Sequence, residues 1–187
     1  MNRPSGDMAP PCTYAQWSQF FDAFLSPDCD DLTLIALAGQ GQVTWSSGLA
    51  ENFGQRAADT LIARLNSIGE RLQQQLQRAR TEADLLTALM DTRRGLSAMR
   101  QFAQISTFPE VLRDNLTEIV DLHARERQKS LLESGARDRT GRMTSLLRGN
   151  PLDRLDEPTP TPAAPPTVTG PQPLRTPSGG TVRRILL

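Results

Sequence analysis

Apolar positions recur along this chain with a helical period, and that period stops near Gly149. Trp17, Phe20, Phe21 and Phe24 stand at i, i+3, i+4 and i+7, which predicts a helix over about 14–25 with one apolar stripe. Thr13-Tyr14-Ala15-Gln16 is a capping-box sequence at its start, and Ser26-Pro27 ends it. The stripe is expected to dock on the core. It has no basic face opposite, as a membrane-surface helix would need.

The run Leu32-Thr33-Leu34-Ile35-Ala36-Leu37-Ala38 is apolar on both faces. Gly39-Gln40-Gly41 and then Val43-Thr44-Trp45 follow it. This pattern predicts a β-hairpin at 32–46, with a short buried helix as the competing reading. A hairpin alone is marginal in water, so it is expected to lean on the aromatic stripe.

From Ser47 or Gly48 the pattern turns helical for a long stretch. Leu61, Leu65, Ile68, Leu72 and Leu76 form a seam for another helix, and Leu85, Leu89, Leu96 and Met99 carry an apolar face further on. Thr81-Glu82-Ala83-Asp84 has the form of a capping box. However, no Gly or Pro lies between Gln73 and Asp84, which favours one helix over 48–106, about 88 Å long. Thr107-Phe108-Pro109-Glu110 marks the next boundary, before a helix over about 108–134 that stacks Leu112, Leu116, Ile119 and His123. That helix, near 40 Å, covers about half of its longer neighbour. The mismatch predicts a homo-oligomer, self-associating through Leu61, Leu65, Ile68, Leu72 and Leu76. Gly135 interrupts the pattern, and Thr140 to Arg148 predicts a short last helix.

Nine prolines then fall between Pro151 and Pro177, a composition suited to polyproline II and not to a packed core. Behind a Gly179-Gly180 hinge comes the basic and apolar peptide Val182-Arg183-Arg184-Ile185-Leu186-Leu187, expected to recruit a protein partner, for instance by adding a strand to a sheet edge. The expected organisation is 1–12 disordered, 13–148 a helical domain, 149–180 a disordered linker and 181–187 a terminal motif. The fold class is mainly α: a small amino-terminal helix plus β-hairpin packed on a long helical hairpin or coiled coil, with a disordered Pro-rich tail.

Charge adds an asymmetry. The 187 residues carry no net formal charge, yet residues 1–60 hold two arginines against seven carboxylates. Residues 123–148 hold seven cations against three. Arg125, Arg127, Arg137, Arg139 and Arg142 are therefore candidate nucleic-acid contacts, although no aromatics interleave them for base stacking. No run of about 18 apolar residues occurs, so no membrane span is expected. Met1 to Pro11 lacks an apolar stretch. With Cys12 and Cys29 read as reduced thiols, the expected location is cytoplasmic, in a bacterial cell.

Candidate chemistry is thin. His123, the sole histidine, sits on a row of Leu and Ile and reads as a seam residue. Asp28, Asp30 and Asp31 lack the glycine and terminal glutamate of an EF-hand loop. Gly39-Gln40-Gly41 is followed by strand-like residues, unlike a dinucleotide fingerprint. No catalytic residue, metal or cofactor is expected. The leading expectation is a non-enzymatic adaptor or assembly protein. The alternatives are a nucleic-acid-binding accessory protein, or a secretion or phage-morphogenesis chaperone.

Overall fold

The computed structural model describes residues 8–26, 29–43, 47–136, 141–153 and 155. Within them the chain forms α1 (Tyr14–Phe24), α2 (Asp31–Ala38), α3 (Ser47–Arg78), α4 (Glu82–Ala103), α5 (Glu110–Ala136) and α6 (Arg142–Gly149). The helices pack against one another in a bundle, with α3 and α4 side by side. Residues 154 and 156–180 of the linker expected at 149–180, the terminal motif 181–187, Arg137 and Arg139 lie outside the described residues, as do residues 1–7 of the expected amino-terminal segment 1–12.

α1 begins as its capping box predicts. The Thr13 hydroxyl accepts from the Gln16 amide at 3.3 Å, and Gln16 Oε1 accepts from the Thr13 and Cys12 amides at 3.0 and 2.9 Å. Its stripe is driven fully inward: Trp17, Phe20, Phe21 and Phe24 are buried. They meet Phe53 of α3, Phe102 of α4 and Phe108 of the following loop, with Trp17–Phe53 at 5.3 Å and Phe24–Phe102 at 4.7 Å between centroids. Trp17 Nε1 donates to the Gln42 carbonyl at 2.9 Å, so the one polar atom of this cluster is satisfied.

The hairpin expected at 32–46 is not formed. No strand occurs among the described residues, and Leu32 to Ala38 belong to α2. Asp30 is the reason: its carboxylate accepts from the Thr33 amide and, at 2.6 Å, from the Thr33 hydroxyl, capping a helix where a strand would have no use for it. Leu34 and Ala38, four residues apart, are buried, while Leu32 is 54% exposed. That is helical spacing. Gly41 serves a close approach instead of a hairpin turn, since a Cβ there would lie 2.4 Å from the Pro11 carbonyl oxygen. Within the expected amino-terminal segment 1–12, Pro11 is buried and Met8 packs on the core.

The single helix over 48–106 is also not formed. α3 ends at Arg78 and α4 starts at Glu82. Thr81 accepts from the Asp84 amide at 3.1 Å, and Asp84 accepts from the Thr81 and Arg80 amides at 2.9 and 3.0 Å. Three amides satisfied at one corner outweigh the propensity of the flanking residues to continue. α4 then doubles back on α3. Gly95 allows the close crossing, a Cβ there standing 3.1 Å from Ile68 Cδ1.

This reversal fills the seam from within. Leu61, Leu65 and Leu72 are 0–2% exposed, and Ile68 and Leu76 are partly buried against the same core. The length mismatch that argued for self-association is resolved inside one chain, by α4 along the carboxy-terminal part of α3 and by α1 nearer its start. At the boundary before α5, Thr107 makes a contact across the fold: its hydroxyl donates to the Ala38 carbonyl at 3.2 Å, and the Ser106 hydroxyl donates to the Gly39 carbonyl at 3.5 Å. Both satisfy the open carbonyl end of α2. At the other end, the chain packs on the bundle beyond Gly149. Leu152 is fully buried, and its amide donates to Gln128 Oε1 at 2.6 Å.

Replacing Phe20 by Ala is expected to lower unfolding free energy by about 3–5 kcal/mol, read by urea titration. Thr81→Ala should cost about 1 kcal/mol in the same assay.

Candidate functional site

A cleft of about 780 Å³ opens on the described surface. The start of α2 forms one wall with Cys29, Asp30, Asp31 and Leu32. α4 forms the other, from Met90 to Gln101. Arg71 of α3 reaches it, and Leu155 lies at its edge. The cleft exists because α2 has only eight residues, about 12 Å, and cannot cover the 22-residue α4 facing it.

Its α2 wall is held by a buried ion pair. Arg64 is 7% exposed, and its guanidinium pairs with the Asp31 carboxylate. The same guanidinium donates to the Ser26 carbonyl at 3.4 Å and lies 5.5 Å from the Phe24 ring centroid. The Cys29 thiol donates to Asp31 at 3.1 Å. Burial, and then the Asp31 carboxylate accepting its proton, push this thiol up to about 12 despite the Arg64 charge. Cys29 is therefore protonated near neutrality and a poor nucleophile. Asp30 is the opposite case: the Thr33 hydroxyl and amide hold its carboxyl below the ordinary range, so the rim keeps a full negative charge.

The α4 wall carries cations. Arg94 is exposed and lies 3.5 Å from Asp91, and Arg93 is buried. Leu32 and Met90 add exposed apolar surface. The result is a groove lined by apolar side chains and by charges of both signs. Sequence reading missed it because its two walls are about 60 residues apart. The available signal was Asp30 at N-cap spacing from Thr33.

The other candidates do not converge. His123 lines a small cavity with Leu65, Ile68, Gly69, Thr92, Leu96 and Arg127, separate from the cleft that Cys29 lines. Cys12 is exposed. Arg125 and Arg127 project about 200° apart around α5. Arg125 Nε donates to its own helix at the Asp121 carbonyl, 3.2 Å away. The Arg127 guanidinium lies over Gly69, where a Cβ would stand 2.1 Å from Nη2. Arg142 is exposed on α6. Among the described residues no cluster of His, Cys, Asp and Glu has the makings of a metal site, and no helix is long and apolar enough to cross a membrane.

A thiol reagent at pH 8 should modify Cys12 at least tenfold faster than Cys29 in the folded protein, with the difference lost in urea. Asp31→Ala removes the acceptor that raises the Cys29 thiol, so it should speed Cys29 modification; peptide-resolved mass spectrometry checks both.

No family model, curated protein or solved structure matches this chain.

Proposed function

We propose that this chain is a non-enzymatic helical adaptor whose body offers a peptide-binding cleft and whose carboxy-terminal arm carries a second contact element, Val182 to Leu187. The cleft between α2 and α4 is the observation that carries this reading. Deep small-molecule pockets are mostly apolar with a few convergent polar groups. This groove is open, and it mixes exposed Leu32 and Met90 with Asp30, Asp91, Arg71 and Arg94. Such a surface suits an extended peptide carrying both apolar and charged side chains. Apolar contacts supply affinity there, and rim charges set orientation and partner choice.

The body supports a scaffold role by its construction. All six phenylalanines are packed in one interior cluster, and the Arg64–Asp31 pair fixes the α2 wall. A rigid groove limits the ordering cost of binding. The Leu61 to Leu72 seam is filled within the chain, so this reading does not draw on it for partner binding.

Crosslinking mass spectrometry in lysate tests the reading with matched variants. Met90→Glu is expected to abolish a specific set of intermolecular crosslinks near the cleft while leaving the melting temperature within about 2 °C of the parent. Crosslinks unchanged in Met90→Glu and in a Leu32→Glu chain would remove the cleft from partner binding.

A further inference from the structure

The cleft and the arm meet at one place. α6 ends at Gly149, and the chain then turns back toward α4. Leu152 is fully buried, Gln128 Oε1 accepts from the Leu152 and Asp153 amides at 2.6 and 3.3 Å, and Leu155 reaches the cleft edge. The root of the arm is thereby pinned on the rim of the groove.

We propose that the cleft is occupied, in the absence of a partner, by the chain's own segment Val182–Leu187, which makes the adaptor self-blocking. This rests on the adaptor reading above and assigns the cleft its resident ligand. Two observations converge on that occupant. The segment has the composition the groove suits: Val182, Ile185, Leu186 and Leu187 for Leu32, Met90 and Ala98, and Arg183-Arg184 for the acidic α2 rim at Asp30. The intervening residues 156–181 stretch to about 80 Å as polyproline II, so reach is not limiting.

Tethering does the rest. A short peptide of this kind binds weakly on its own, but an arm rooted at the rim holds it at an effective concentration on the order of millimolar. The dependence of that concentration on linker length is shallow, so 26 residues remain effective. A partner peptide must then displace the segment, which raises the threshold for engagement and frees the arm at the same moment. Partner capture by the cleft and exposure of Val182–Leu187 become one event.

The test uses the full chain and a labelled synthetic peptide, Thr181–Leu187, followed by fluorescence anisotropy. In the full chain carrying Ile185→Asp and Leu186→Asp, the cleft is vacated, and the peptide should bind at least tenfold more tightly than to the parent. Adding Met90→Glu to that variant should abolish binding, and a peptide with Arg183→Ala and Arg184→Ala should bind more weakly and with less salt dependence. Equal affinity for the parent and the Ile185→Asp, Leu186→Asp chain overturns the proposal, as does absence of binding to the latter. A parent chain with the light-scattering mass of a dimer, reverting to one chain in the variant, assigns the contact to a second copy and overturns the internal form. If peptide binding fails while Met90-dependent partner crosslinks persist, the self-block falls and the adaptor reading stands; loss of both removes both.

Discussion

The aromatic stripe of α1 is the contact on which the other elements depend. An eleven-residue helix is too short to hold together in water on its own propensity. It persists because it places four large side chains where three other segments close over them. Phe53 comes from α3, Phe102 from the end of α4, and Phe108 from the turn into α5. These residues are up to 91 positions from Trp17 in sequence, so a single cluster sets the relative placement of α1, α3, α4 and the start of α5. The Trp17 bond to Gln42 then draws the α2–α3 connection onto the same centre. Removing rings here loosens helix placement as well as core volume, since edge and stacked ring geometries fix orientation.

How much of this was legible follows from how local each signal is. The α1 stripe and its capping box lie within about a dozen residues and were read correctly. The helical character of α3, α4 and α5 was equally plain from their period. The α3–α4 corner was visible as Thr81 with Asp84, yet propensity argued the other way. Only the completed fold shows why the corner wins: α4 must turn back to cover Leu65 and Leu72. The α2 segment failed for a different reason. With apolar residues on both faces, period carries no information. The decision fell to Asp30 on one side and to the carbonyl-capping Thr107 and Ser106 on the other, the latter nearly 70 residues away.

The seam illustrates a general hazard in reading leucine spacing. Leu61, Leu65, Ile68 and Leu72 require a partner helix, and sequence cannot say whether that helix is in the same chain. Counting helix lengths depends on where the helices end. Once the corner at Thr81 divides one long helix into α3 and α4, the partner is supplied in cis, and α5 completes the cover with Leu116 and Val120.

The cleft follows from the same arrangement. α1 and α4 take their positions from the aromatic cluster, and α2 spans the space between them with eight residues. Its start is tied down by Arg64 through Asp31, and its end by Thr107 through Ala38. Neither end is free to slide along α4 and close the gap. The face of α4 around Met90, Arg94 and Ala98 therefore stays open for a geometric reason, while its opposite face is consumed by α3 and α5. The α2 wall of the opening is thus held at both ends, by a buried ion pair and by a helix-end hydrogen bond.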